Sequence, residues 1–181
     1  MAKELWDAYD REGNPLGFDL VRGEPIPEGV YHLVVEIFSV TTDGRVLITR
    51  RHPDKAWGSC WENTGGSVVK GETPVEGALR ELREETGVIV SAQDLHPVYV
   101  DVWPGTGMRG MGSTIYHSFV VFFDPEEQTI RLQEGETVDY DLLPYEEFKQ
   151  VLREDRFVDV VRVRFLDHEA DFDRIFAEHF K

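Results

Sequence analysis

Residues 65–88 read GGSVVKGETPVEGALRELREETGV. A helix begins inside this stretch: Thr73 offers an N-cap side chain, Pro74 takes the first helical position, and Glu76 completes a capping box. Gly87 is placed to stop it in a left-handed turn. At 3.6 residues per turn, Val75, Ala78, Leu79, Leu82 and Thr86 gather on one side, which predicts the face turned to the core. Glu81, Glu84 and Glu85 share a neighbouring side within an arc of about 100°. Gly77 lies on that side one turn earlier. A glycine there costs roughly 1 kcal/mol relative to alanine, so it makes room either for a ligand or for a close helix–loop contact. Like charges at this spacing repel. The carboxylates are therefore either solvated, with help from Glu76–Arg80 and Arg80–Glu84 pairs, or bridged by cations. Hard divalent ions such as Mg²⁺ take oxygen ligands of this kind, usually together with substrate phosphates.

The surrounding composition narrows the choice. The 181 residues suit one domain with a proper core, and 41% hydrophobic content excludes disorder. A formal net charge of −16 and no Lys/Arg-rich block argue against nucleic acid as a partner. A phosphorylated small molecule remains compatible if metal ions supply positive charge. The single cysteine, Cys60, rules out an intramolecular disulfide and fits a reducing compartment. The N-terminus lacks a signal-peptide core, and the apolar run YHLVVEIFSV is short and holds Glu36, so the expectation is a cytoplasmic protein with no membrane partner.

No repeat or linker divides the chain, which predicts one domain over 1–181 with an N-terminal extension, 1–28, carrying a short β-hairpin. Residues 4–19 read as two strands around EGNP. Residues 29–40 and 45–50 read as strands joined at Asp43-Gly44. Residues 51–65 read as a polar and aromatic loop. Strands follow near 95–103, 113–123 and 129–133. Pro144 opens a helix to about Arg153, and 168–180 closes the chain as an amphipathic helix. Hairpins with helices inserted among them predict an α/β fold with a mixed β-sheet between helices.

The full spacing is more specific than the helix alone. Gly66, Glu72, Arg80-Glu81-Leu82, Glu84-Glu85 and Gly87-Val88 stand at the positions of the Nudix box, over residues 66–88. Chance agreement at its seven fixed positions is on the order of one in a hundred million per starting point. The chain thus resembles the Nudix hydrolase superfamily. That resemblance implies an α/β/α sandwich and Mg²⁺-dependent cleavage (with Mn²⁺ as the alternative ion) of a diphosphate bond in a small compound. It also implies Glu81, Glu84 and Glu85 as metal ligands, with the Gly66 carbonyl as a further one, and Glu72 with Arg80 as a supporting ion pair. One carboxylate must accept a proton. Glu81 is one candidate; Glu136 is the other, since it stands six residues ahead of Leu142 and shortly before Pro144, with Glu134 as local rival. Arg51 and Lys55, with Arg50, are candidate substrate contacts, and Trp57, Trp61 and Trp103 offer faces on which a base could stack. Substrate choice is expected in loops such as 102–114. A homodimer, a common state in the superfamily, is compatible.

Two alternatives remain. The front of the chain, WDAYDREGNPLG and GVYHLVVEIFSV, resembles the isopentenyl diphosphate isomerase branch. Those isomerases protonate an alkene with a cysteine in a Cys-Gly-His pattern before the box. This chain has Gly65-Gly66-Ser67 there, Cys60 lies five residues early, and His32 and His52 alone echo their metal-binding histidines. A sensor that binds a nucleotide derivative is the third reading, disfavoured by an intact box.

Overall fold

The computed structural model describes residues 3–105 and 112–181. Residues 106–111, the middle of the 102–114 loop singled out for substrate choice, lie outside them.

Two hairpins open the chain. Strands β1 (Leu5–Tyr9) and β2 (Pro15–Val21) form a separate two-stranded sheet. Strands β3 (His32–Thr41) and β4 (Arg45–Arg51) turn at Gly44, whose φ of 86° only glycine takes freely. The loop expected over 51–65 contains β5 (Trp61–Glu62) and leads directly into β6 (Thr64–Ser67). Next come α1 (Pro74–Thr86), β7 (Leu95–Trp103), β8 (Thr114–Phe123), β9 (Thr137–Pro144), α2 (Tyr145–Leu152), α3 (Asp159–Asp167) and α4 (Glu169–His179).

The main sheet runs β5-β4-β3-β8-β7, with β6 added to β3 and β9 to β4. Among the paired strands of the described residues only β3 and β8 run parallel, so the sheet is mixed. Strand β3 changes partner along its length. Its first half pairs with β6 from Val34↔Ser67 to Ile37↔Thr64, and its end pairs with β4 at Ser39↔Leu47 and Val40↔Val46. The sheet therefore parts between β4 and β6, and the start of the box lies on the inner edge of that split.

Strand alternation sends Leu33, Val35 and Ile37 to one face, where they pack with Ala78, Leu82 and Val88 of the α1 region. Phe38 and Val40 point the other way, against Phe148, Phe165 and Phe172 of α2, α3 and α4. A sheet between helical layers results.

Two expectations need correction. Residues 129–133 are not a strand: the Arg131 and Gln133 amides donate to the Thr86 and Glu85 carbonyls at the end of α1, at 2.7 and 3.3 Å. Segment 137–144 is a strand, because β4 pairs with β3 and β5 on one edge and leaves the other free along its length, which β9 fills from Arg45↔Pro144 to Arg51↔Thr137.

Candidate active site

Helix α1 has the ends its sequence predicts. The Glu76 amide donates to Thr73 Oγ1 at 3.3 Å, and the Thr73 amide donates to Glu76 Oε2 at 2.7 Å. Glu76 is thus committed to the cap and does not pair with Arg80. Gly87 closes the helix at φ 75°. Gly77 serves a close contact: a Cβ there would stand 3.2 Å from Val68 Cγ2. Its role is the packing of the box loop onto the helix.

Arg80 ties the box together. Its Nε and Nη2 donate to the two Glu72 oxygens at 2.8 and 3.0 Å, and Nη2 also reaches the Ser67 carbonyl at 2.9 Å. Nη1 donates to Glu81 at 2.7 Å and approaches Glu84 at 3.5 Å. Burial opposes the Arg80 charge, but Glu72 and Glu81 outweigh it and raise the pKa. Gly66 lies so close to Glu81 that a Cβ would fall 2.3 Å from its carboxyl carbon. The Glu81 carboxylate thereby fills the space that a side chain at residue 66 would need.

Glu85 is the outlier. Burial, and then the Glu62 and Glu81 charges, push its pKa well above the ordinary carboxylate value; the Gly65 amide, donating at 3.3 Å, only partly compensates. Burial also raises Glu81 and Glu62. Glu62 was not legible as a site residue, since nothing in WEN signals that its carboxylate is buried. It receives Arg51 Nη1 at 2.5 Å, and the Arg51 Nε donates to the Ala56 carbonyl at 2.7 Å. Lys55 pairs with Glu136. Burial, then Arg51 and Arg22, pull Lys55 below the usual lysine value, against the opposing charges of Glu85 and Glu62. These groups meet because the end of β4 is flanked by β5 on one edge and β9 on the other, with Thr49↔Glu62 and Arg51↔Thr137 in register.

Other sequence candidates fall elsewhere. Arg50 pairs with Asp139 at 3.0 Å and lies over Trp61, 5.7 Å from its centroid. Trp57 donates its ring N–H to Asp159 at 2.6 Å. Trp103 faces Arg164, which sits 5.7 Å from its centroid. His32 is buried and stacked on Trp6 at 4.2 Å.

Among the described residues no three His, Cys, Asp or Glu side chains already form a ligand set; one oxygen of Glu81, Oε1, is held by Arg80 Nη1. The donors nevertheless suit a hard divalent cation: all are oxygens, the partly buried Glu85 carboxylate faces two others, and a side chain at Gly66 would have to displace Glu81. The isomerase pattern fits poorly. A Cβ at Gly65, where a cysteine would be needed, would meet the Val35 carbonyl oxygen at 2.6 Å.

The profile of the NUDIX domain matches residues 30–161. An uncharacterized Nudix hydrolase of Listeria monocytogenes is 35% identical over 89 residues, 48% of this chain and 53% of that protein. The chain spans about half the length of curated relatives of this kind. In fold it is similar to the crystal structure of DR0079 from Deinococcus radiodurans, with a TM-score of 0.66, 21% identity, and coverage of 88% of this chain and 96% of that one. It is also similar to a bifunctional NMN adenylyltransferase/ADP ribose pyrophosphatase from Francisella tularensis, solved with AMP and a Mn ion. That TM-score is 0.57 at 21% identity, over 82% of this chain and 41% of the other.

Proposed function

The chain belongs to the Nudix family, and on that premise we propose that it is a Mg²⁺-dependent pyrophosphohydrolase acting on a small diphosphate compound. The observation that carries this reading is Glu85: a partly buried carboxylate opposed by Glu62 and Glu81 and supported by one long amide contact. Such a group costs stability unless it is protonated or meets a cation.

In this proposal Glu81, Glu84, Glu85 and the Gly66 carbonyl hold the metal. Bound there, the metal supplies charge neutralisation at the phosphoryl oxygens and a lowered pKa for the attacking water. The chain's own residues do the rest. Arg80 and Glu72 fix the loop against the helix, so that the Gly66 carbonyl and the glutamates stay in register. Arg51 and Lys55 offer cationic groups to the diphosphate beside the box. Glu81, already raised in pKa by burial, or Glu136, paired with Lys55, accepts the proton from water. The chain acts on small molecules in this reading, without nucleic acid or membrane partners, and a homodimer is the oligomer the family makes familiar. No helix among the described residues is long and apolar enough to cross a membrane.

The test is product release across a panel of diphosphate compounds with Mg²⁺, with Mn²⁺ and with chelator, for the parent and Glu85→Gln. We expect metal-dependent cleavage of at least one compound and a loss of about 100-fold or more in the variant. Parent-level turnover by Glu85→Gln would sink the assignment of the site.

A further inference from the structure

Residues 52–60 follow β4 as a loop folded tightly on itself. The Ser59 amide donates to the Arg51 carbonyl at 3.2 Å, the Cys60 amide to the Trp57 carbonyl at 3.0 Å, and the Lys55 amide to the His52 carbonyl at 3.0 Å. Arg51 Nε holds the Ala56 carbonyl, and the Trp57 ring N–H ties the loop to Asp159 of α3. Gly58 packs so closely on Pro53 that a Cβ would fall 2.1 Å from the Pro53 carbonyl oxygen. Two residues other than glycine, Trp57 and Ser59, stand at φ 54° and 67°. Left-handed backbone at such residues persists only where the surroundings over-determine it, and it gathers at functional sites.

This framework carries Lys55. Its ammonium pairs with the Glu136 carboxylate, and three residues earlier the His52 amide donates to the Glu136 carbonyl at 2.8 Å. One loop thus grips both the side chain and the backbone of Glu136. The segment that leads to Glu136 is fastened at its other end to α1, where the Arg131 and Gln133 amides meet the Thr86 and Glu85 carbonyls. Glu136 is thereby suspended between the end of α1 and the 52–60 loop. Burial, Arg51 and Arg22 disfavour the Lys55 charge while Glu85 and Glu62 favour it, which places the pair beside the box carboxylates.

Two carboxylates compete for the proton of the attacking water. Glu81 gives Oε1 to Arg80 Nη1 and is needed as a metal ligand. Glu136 keeps 37% of its side chain exposed, so water reaches it. A carboxylate carried on a loop serves as a base only if it is held within reach of that water. We propose that Glu136 is the proton acceptor and that Lys55 is the positioning residue that holds it, with the 52–60 loop as the rigid mount for Lys55. This rests on the diphosphate-hydrolase reading and deepens it. The water oxygen bonds to phosphorus as one of its protons passes to Glu136; the bridging P–O bond breaks, and its electron pair leaves with the departing phosphate.

The experiment joins steady-state kinetics with Mg²⁺ to amide hydrogen exchange without metal, both on the full chain. The kinetics use whichever of ADP-ribose, diadenosine tetraphosphate and isopentenyl diphosphate the parent cleaves fastest, and compare the parent, Glu136→Gln, Lys55→Met and the double variant. We expect Glu136→Gln to lose about 100-fold or more in kcat and Lys55→Met about 10-fold, with the KM of Lys55→Met within about threefold of the parent's. The double variant should be no slower than Glu136→Gln alone, since Lys55 acts through that carboxylate. In the metal-free protein the Glu136 and Thr137 amides, both bonded to the Gln133 carbonyl at 3.2 Å, should exchange faster in Lys55→Met, while core amides such as that of Leu82 exchange as in the parent. Full turnover by Glu136→Gln, losses that multiply in the double variant, or unchanged exchange at 136 and 137 overturns the proposal. So does a higher KM at constant kcat in Lys55→Met, which would make the ammonium a contact of the diphosphate instead. A parent inert toward all three compounds counts against the hydrolase reading beneath, and the exchange comparison then still decides whether Lys55 holds Glu136.

Discussion

Neighbouring glycines carry different burdens. At Gly65 an added Cβ would meet a backbone oxygen, Val35 O, at 2.6 Å, and strand pairing holds that atom in place. At Gly66 it would meet the carboxylate of Glu81, the far end of a side chain that can swing away. Gly65→Ala should therefore cost about 1–3 kcal/mol of stability, read as a lower midpoint in urea. Gly66→Ala should leave the midpoint nearly unchanged but displace Glu81, lowering kcat by about 10-fold or more. Equal melting losses in the two variants would contradict this division of roles. His32 makes a second prediction of the same scale. Burial, opposed by a bond to the Ser113 backbone and by the Glu4 charge, lowers its pKa from 6.5 to about 4. The unfolded chain thus takes up a proton between those values that the fold refuses, so this contribution is complete above pH 6.5 and is lost as pH falls toward 4. Its full span is roughly 3 kcal/mol. His32→Phe keeps a ring against Trp6 but cannot titrate, so its urea stability should fall less steeply than the parent's between pH 6.5 and 4.5. Parallel curves would remove His32 as the cause.

Among the elements, α1 shows when local chemistry is sufficient. Its cap, first-turn proline and terminal glycine act within one or two turns, and Thr73→Ala should cost about 1 kcal/mol by unmaking one side of the capping box. A urea midpoint equal to the parent's would mean that packing against Val68 and β3 alone fixes the helix start. Strands β3, β4, β7 and β8 were equally legible, because their apolar runs are long and the Asp43-Gly44 turn is specific. The elements that could not be read are those whose pattern depends on distant partners. Helix α3 buries Val161, Arg164 and Phe165. That is helical spacing, but an arginine stands at an inward position, and only Glu36, far away in sequence, explains it. Strand β9 leaves both Val138 and Tyr140 exposed and alternates them with aspartates, so it shows no apolar face. Conversely, 129–133 has strand-like composition, yet its amides are consumed by the end of α1. The site divides the same way. Glu72, Arg80 and Glu81 come from one continuous motif, whereas Glu62 acquires its meaning from burial beside Glu85, which no local pattern records.

For the whole molecule, the question is whether the N-terminal hairpin is an appendage or part of the working site. The β1–β2 sheet has its own small cluster of Trp6, Ala8 and Leu20, packed with Ile26 and Val30. It also grips the box loop directly. The Lys70 amide donates to the Leu5 carbonyl at 2.8 Å, the Gly71 amide donates to Asp7 Oδ2 at 2.8 Å, and Tyr9 and Tyr31 exchange backbone bonds at 2.9 Å. Gly71 precedes Glu72, which orients Arg80, and Arg80 in turn holds Glu81. A chain of direct contacts thus runs from the hairpin to the carboxylates. Asp7→Ala cuts it at one exposed bond while leaving the hairpin's packing in place. Global stability should change by less than about 1 kcal/mol, while exchange of the Gly71 amide accelerates and turnover on the best diphosphate substrate falls several-fold. The combination matters. Faster exchange with full turnover would show that the loop keeps its working geometry without the Asp7 bond, held by the Lys70 amide on the Leu5 carbonyl and by Arg80.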